Sequence, residues 1–172
     1  PKTVVNSAAP LRISGDSNNN VYFTGRIDEP HVFNRALSAT DIAAVVNAGR
    51  SCFCKPGATT PPSNLVAWWG GDGDARDVSG FGNNGTLIGG TGFSVGKVGQ
   101  SLNFDGIDDY VQTNLDIQPS AMPNVTFEAW VYPRNATGFD QAIFSGDDGG
   151  WDRQIGISPS GTTFRAQTGS AV

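Results

Sequence analysis

The sequence predicts an all-β protein, an antiparallel β-sandwich, and three observations predict it. Short apolar runs with period-two alternation recur along the chain between clusters of Gly and Asn, a pattern typical of strands and turns. The 172 residues include 23 Gly and 10 Pro, too many turn-forming residues for a helical bundle. Ten Phe, four Trp and three Tyr supply large side chains for a sandwich core. An apolar fraction of 38% also excludes a disordered chain.

The clearest strand is predicted at 125–132, where Val-Thr-Phe-Glu-Ala-Trp-Val-Tyr alternates cleanly until Pro133 ends it. The first part of the chain is predicted to be extended at 11–13 and 21–27, with Gly25 at a bulge or a close approach of two backbones. Further strands are expected at 65–69, 86–88, 101–105, 109–113, 141–145, 153–158 and 162–167.

One short helix is predicted directly after Ser38. This serine is a good N-cap, and Asp41 three residues later completes an arrangement close to a capping box. The apolar face of the helix would consist of Ile42, Val45 and Val46. Gly49 is expected to end the helix. A helix this short needs to pack on a sheet to persist.

A linker is predicted at 50–63, where three prolines break any regular hydrogen-bonding ladder. We therefore place a boundary there, between a first part at 1–49 and a second part at 64–172. Cys52 and Cys54 lie in this linker, too close in sequence for an unstrained disulfide with each other. They lack the four ligands of a structural zinc site, which leaves surface thiols or intermolecular disulfides.

The charge of the chain argues against two classes of partner. A formal net charge of −5 and a pI near 4.6 disfavour binding to nucleic acid and to anionic membranes. No apolar run approaches the roughly 20 residues that span a bilayer, so membrane insertion is not expected.

Five segments resemble laminin-G-like (concanavalin-A-like) jelly-roll modules, which are common in large, tandem-repeat secreted bacterial proteins. Phe-Thr-Gly-Arg-Ile-Asp-Glu-Pro-His-Val-Phe-Asn-Arg-Ala-Leu-Ser at 23–38 is similar to the closing strand and terminal helix of such a module. The opening half is matched by Leu-Val-Ala-Trp-Trp at 65–69, the Asn- and Gly-rich stretch at 77–86, Gly-Gln-Ser-Leu-Asn-Phe-Asp at the start of 99–111, and Phe-Glu-Ala-Trp-Val at 127–131. The resemblance implies a jelly-roll sandwich that is secreted or on the cell surface.

The order of these segments is unusual, because the closing half at 1–49 precedes the opening half at 64–172. A fragment of a longer protein, a portion of a repetitive one, and a permuted unit whose halves pack together all fit this order. The strands missing from the module would leave a sheet edge that can accept a strand from a neighbouring chain. Self-association into an oligomer or filament is therefore a second expectation for the function.

Calcium is the cofactor that the resemblance implies, with Asp28 and Asp77 as its first candidate ligands. Acidic residues cluster in the predicted loops, including Asp105, Asp108 and Asp109, and hard cations prefer such carboxylate oxygens. The alternative is that these residues stabilise turns, since Asp hydrogen-bonds its own backbone in tight turns.

The candidate ligand site is Trp151 with Asp148 and Asp152, because an exposed ring beside polar groups is typical of sugar-binding surfaces. The alternative for this tryptophan is packing. Trp130 lies in an apolar strand pattern and is predicted to be in the core. Asn84, Asn124 and Asn135 match the N-glycosylation acceptor pattern, although about two matches arise by chance in this composition.

Catalysis is not expected. Glucanases that share this sandwich carry a Glu-x-Asp-x-x-Glu strand, whereas Glu29 and Glu128 are the two glutamates of this chain and neither lies in that pattern. His31 is the single histidine, and no Gly-x-Ser-x-Gly motif provides a nucleophile for it. The sequence thus predicts a non-catalytic, extracellular binding or adhesion module directed at a glycan or a cell surface.

Overall fold

A computed structural model describes residues 9–16, 20–48, 61–134, 140–147 and 153–168. These ranges contain one helix, α1 (Ala39–Ala48), and thirteen strands. The strands are β1 (Arg12–Ile13), β2 (Gly15–Asp16), β3 (Val21–Tyr22), β4 (Thr24–Phe33), β5 (Leu65–Trp68), β6 (Thr86–Ile88), β7 (Gly92–Val95), β8 (Gln100–Asp105), β9 (Tyr110–Gln112), β10 (Thr126–Pro133), β11 (Gln141–Ser145), β12 (Arg153–Ile157) and β13 (Phe164–Thr168).

The strands form two main antiparallel sheets. The six-stranded sheet has the order β13-β12-β11-β1-β9-β6. The five-stranded sheet has the order β10-β4-β8-β7, and β5 also pairs with β4. A short hairpin of β2 and β3 completes the architecture. The prediction of an all-β sandwich with one short helix is confirmed.

Strand β4 joins the two predicted parts of the chain. One of its edges pairs with β10 from Gly25 to Phe33, and the other pairs with β8 and β5. On the other sheet, β1 lies between β11 and β9. Strands from 1–49 and 64–172 therefore share both sheets within one chain. The boundary at 50–63 stays a prediction, since 49–60, with Cys52 and Cys54, lie outside the described residues.

The core lies between the two sheets and is filled by inward-pointing residues of the facing strands. Ile27 and Val32 of β4 are fully buried in it, as are Ile13 and Val111 of the six-stranded sheet. The Phe127 and Phe144 rings stack at a centroid distance of 4.9 Å and connect the sheets. One face of each sheet is thus packed on this core.

The capping box predicted for α1 is present. Ser38 Oγ accepts the N–H of Asp41 at 3.2 Å, and Asp41 Oδ2 accepts the N–H of Ser38 at 2.9 Å. The predicted apolar face is only partly correct. Val45 is buried against Phe33, Leu65 and Trp68, whereas Ile42 and Val46 are 47% and 46% exposed. Of the three predicted residues, Val45 alone packs on the sheet, so the buried face of the helix is narrower than its periodicity predicts.

The ten residues of α1 are far short of a membrane crossing, and no other helix occurs in the described ranges. Gly49, the predicted end of this helix, lies outside those ranges. Strand β7 was missed by the sequence analysis, because its Gly92 and Ser94 interrupt the apolar pattern on which the strand predictions rest.

Gly25 marks a close approach between β4 and β10, as predicted. Its φ of +150° is disfavoured for other residues, and a Cβ added there would collide with the carbonyl oxygen of Tyr132 and the ring of Phe23.

We predict that Gly25→Ala destabilises the protein by about 3 kcal/mol, of which about 2 kcal/mol comes from overpacking. Gly80→Ala is the matched control, because Gly80 also has a positive φ (+91°) but has nothing within 4 Å of the added Cβ. The control should lose only about 1 kcal/mol. Urea unfolding of the two variants measures the difference, and equal losses would contradict the close approach.

Candidate functional site

A groove of about 300 Å³ lies on the outer face of the five-stranded sheet. We call it the aromatic groove, and its lining residues are Arg26, Asp28, Val95, Gly96, Lys97, Ser101, Trp130, Val131 and Tyr132.

The pairing of β4 with β10 places the side chains of the groove. Ile27 points into the core, so its neighbours Arg26 and Asp28 point outward. Asp28 pairs in register with Trp130, and Arg26 pairs with Tyr132. Two charged side chains and two aromatic rings therefore meet on one face of the sheet.

Cations lie over both rings. The Arg26 Cζ is 4.3 Å from the centroid of the Tyr132 ring, and its Nη1 donates a hydrogen bond to the Val95 carbonyl at 2.7 Å. The Lys97 Nζ is 5.3 Å from the centroid of the Trp130 ring. These cation–π contacts orient the rings, while the Tyr132 side chain stays 58% exposed.

Asp28 lies at the base of the groove with only 3% of its surface exposed. Its Oδ2 accepts the backbone N–H groups of Lys97 and Val98 at 2.5 and 2.9 Å. Its Oδ1 is buried and has no hydrogen-bond partner. Burial raises the pKa of this carboxyl group, and the Asp72 carboxylate adds to the effect, against the lowering effect of the backbone N–H groups of Val98, Lys97 and Glu29. Asp28 Oδ1 is therefore a hydrogen-bond acceptor at the groove that no protein donor occupies.

Asp77, the second predicted calcium ligand, has a separate set of partners. Its Oδ1 accepts the N–H groups of Trp68 and Ser79 at 3.1 and 2.9 Å, and its Oδ2 accepts the N–H of Asn83 at 2.8 Å. Asp77 and Asp28 share none of these partners. The contacts of Asp77 are those of a turn-stabilising residue, and calcium binding by this pair stays a prediction.

A group of three carboxylates at the β8–β9 turn could hold a cation. Ligand atoms of Asp105, Asp108 and Asp109 all lie within 4.8 Å of one another. Asp109 is buried and accepts the N–H of Asp105 at 2.9 Å as well as that of Gly90. These hydrogen bonds are sufficient to explain the turn without an ion.

Ionisable residues are also buried farther along β4. Glu29 adopts a left-handed φ of 52° and accepts a hydrogen bond from Trp68 Nε1. The His31 ring stacks on Trp68 at 5.1 Å, and its Nδ1 lies 2.8 Å from Glu128 Oε2. Burial raises the pKa of Glu29 to about 7, and the nearby carboxylates add to the effect against the Trp68 hydrogen bond. The His31 side chain is held within β4 by the Trp68 ring and the Glu128 carboxylate.

The whole ligand site predicted from sequence lies outside the described residues. Trp151, Asp148 and Asp152 lie outside the described residues, as does Asn135. Asn84 and Asn124 are exposed, and Asn84 Oδ1 accepts the N–H of Asp77 at 3.0 Å.

The prediction that Trp130 belongs to the core is wrong, since it is partly exposed and lines the groove. The alternation of residues in β10 already indicates that Trp130 lies on the outer face of the sheet. Phe127, Ala129 and Val131 pack against the core, while the other set contains Glu128 and therefore marks the outer face.

Comparisons with known proteins identify no relative. The chain matches no family model, no curated protein and no solved structure. The resemblance to laminin-G-like modules therefore stays a prediction, and the function has to be argued from the groove itself.

The raised pKa of Glu29 predicts a pH dependence of stability. The folded state holds the Glu29 proton up to about pH 7, against 4.5 for an ordinary glutamate, so the unfolded state binds fewer protons between these values. Stability should therefore fall as the pH rises from 4.5 to above 7, by up to about 3 kcal/mol. Glu29→Gln keeps an acceptor for Trp68 and should remove this part of the slope. Asp108→Asn, at an exposed carboxylate, should keep it.

Urea unfolding of the three proteins at pH 5 and pH 8 measures this dependence. Glu29→Gln should match the wild type at pH 5 and exceed its stability at pH 8. Parallel pH profiles for the wild type and Glu29→Gln would show that the Glu29 carboxyl group is not desolvated.

Proposed function

We propose that this protein is a non-catalytic, secreted or cell-surface binding module that holds a glycan in the aromatic groove. The proposal rests on one observation: two partly exposed rings, Trp130 and Tyr132, line the same groove as Asp28, whose Oδ1 has no hydrogen-bond partner.

The chemistry of the groove suits a sugar. A pyranose ring has an apolar face that packs on an aromatic ring and a rim of hydroxyl groups that need hydrogen-bond partners. Trp130 and Tyr132 supply the aromatic surface. Asp28 Oδ1 supplies an acceptor, and a ligand hydroxyl bound to it would satisfy an otherwise unpaired buried oxygen. Lys97 and Arg26 are donors at the rim.

Binding without catalysis agrees with the residues that line the groove. Glycoside hydrolysis uses a pair of carboxyl groups on either side of the scissile bond. Asp28 is the one carboxylate among the lining residues, and its Oδ2 is held by two backbone N–H groups. These features support recognition, with adhesion to a glycan-bearing surface as the biological role.

Trp130→Ala and Tyr132→Ala should each weaken glycan binding about tenfold or more, the equivalent of about 1.4 kcal/mol. A glycan array identifies the strongest-binding oligosaccharide, and isothermal titration calorimetry then measures its Kd. Asp28→Asn keeps an oxygen that can accept the Lys97 and Val98 N–H groups but loses the charge, so it should also weaken binding.

Phe81→Ala is the control, because Phe81 is 68% exposed but lies outside the groove. It should bind as the wild type does. Full binding by the Trp130 and Tyr132 variants, with circular dichroism that shows an intact fold, would contradict the proposal.

A structural role is the second candidate, and the edge of β10 favours it. This strand of eight residues pairs with β4 on one side, and no described residue pairs with its other side. Unpaired N–H and C=O groups along such an edge can accept a strand from another chain. The protein would then be a subunit of a fibre or filament held by strand complementation.

Multi-angle light scattering on dilute and concentrated protein tests this second role. Strand exchange predicts a mass that rises with concentration, and electron microscopy should then show extended polymers. A monomer at every concentration would exclude the filament and leave glycan binding as the proposed function.

A further inference from the structure

The aromatic groove offers more apolar surface than its two rings. Val95 and Val131 line it beside Trp130 and Tyr132. The Val95 side chain is 75% exposed, so a ligand in the groove can cover it. A methyl group gains free energy from such a contact, because both surfaces leave water, whereas a hydroxyl group does not. The lining therefore favours a sugar with an apolar substituent.

Asp28 supplies a hydrogen-bond acceptor at the base of the groove. Its Oδ2 accepts the N–H groups of Lys97 and Val98, while its Oδ1 is buried and has no partner among the described residues. An ionised carboxylate accepts hydrogen bonds and donates none. The group of a ligand that lies against this oxygen therefore has to be a donor.

Lys97 supplies a donor at the rim of the same groove. Its backbone N–H binds Asp28, so the start of its side chain is fixed relative to that carboxylate. Gly96 permits this close contact, since a Cβ added there would lie 2.6 Å from Asp28 Oδ2. The Lys97 side chain is exposed, and its Nζ lies 5.3 Å from the centroid of the Trp130 ring. The groove thus has an acceptor at its base and an ammonium donor at its rim.

A secondary amide matches this arrangement better than a hydroxyl group does. In a trans amide the N–H and the C=O point in opposite directions. The N–H can therefore face Asp28 Oδ1 at the base while the carbonyl oxygen faces Lys97 Nζ at the rim. A hydroxyl group reaches one of these two positions and leaves the other to water.

We propose that the aromatic groove recognises a sugar that carries an acetamido group, an N-acetylhexosamine. This inference rests on the proposed glycan-binding function and names the class of sugar. The acetamido N–H binds Asp28 Oδ1, its carbonyl oxygen binds Lys97 Nζ, and its methyl group packs against Val95. Because the acetamido group is uncharged, neither the carboxylate nor the cations of the groove repel it.

Two tetrasaccharides test the proposal, because they differ only at C2 of each sugar. Chitotetraose carries acetamido groups at this position, and cellotetraose carries hydroxyl groups. Isothermal titration calorimetry should show that the wild type binds chitotetraose at least about tenfold more tightly than cellotetraose. N-acetyllactosamine and lactose, which also differ only at one C2, should show the same preference on a glycan array.

Asp28→Asn separates recognition of the acetamido group from a general loss of binding. The asparagine oxygen can accept the N–H groups of Lys97 and Val98, which leaves an NH2 donor in place of Oδ1. An acetamido N–H cannot bind to that donor, whereas a sugar hydroxyl can accept from it. The variant should therefore bind chitotetraose about tenfold or more weakly than the wild type, and cellotetraose within about threefold of it. Phe81→Ala, outside the groove, should keep the preference of the wild type.

Three results would overturn this inference. The first is equal binding of the two members of each sugar pair by the wild type, a comparison that needs no variant. The second is a folded Asp28→Asn protein that keeps the preference for chitotetraose. The third is a strongest-binding array glycan that lacks an acetamido group but depends on Trp130, which would leave the proposed glycan-binding function intact. If no glycan on the array bound, the proposed function itself would be wrong, and this inference with it.

Discussion

The backbone pairing of β4 is the constraint on which the rest of the structure depends. This strand is hydrogen-bonded along both edges, to β10 on one side and to β8 and β5 on the other. Gly25 and Glu29 within it adopt positive φ angles. Its inward residues fill the core, and its outward residues form the base of the aromatic groove and pack beneath α1. If β4 were displaced, the core, the groove and the support of the helix would be lost together.

The aromatic groove contains a buried polar atom that has no hydrogen-bond partner among the described residues, Asp28 Oδ1. Such atoms lower the stability of the free protein, and proteins commonly accept this cost where a ligand is bound. In the interior, the Phe127 and Phe144 rings stack, and Gln141 Oε1 accepts the N–H of Thr24 at 2.9 Å.

Features set by neighbouring residues could be predicted from the sequence. The hydrogen bonds between Ser38 and Asp41 join residues only three positions apart. The alternation of residues along β10 likewise shows which side chains share a face of the strand. Most strands were expected within one or two residues of their observed ends. The burial of Ile42 and Val46 was not predicted correctly, because helical periodicity does not say how wide a contact the sheet offers.

The aromatic groove could not be predicted, because its parts come from distant points of the chain. Asp28 receives hydrogen bonds from Lys97 and Val98, about 70 residues later, and its register partner Trp130 lies a further 32 residues along. Only the pairing of β4 with β10 and β8 brings them together.

The most direct test of the account is a ¹⁵N NMR titration that follows the indole N–H signals of the four tryptophans while the oligosaccharide selected on the array is added. The account predicts that the signal of Trp130 shifts progressively and saturates, while those of Trp68 and Trp69, which are buried, change little. A saturating shift of Trp151 with Trp130 unchanged would contradict it, and would place binding at the loop that the sequence alone suggests.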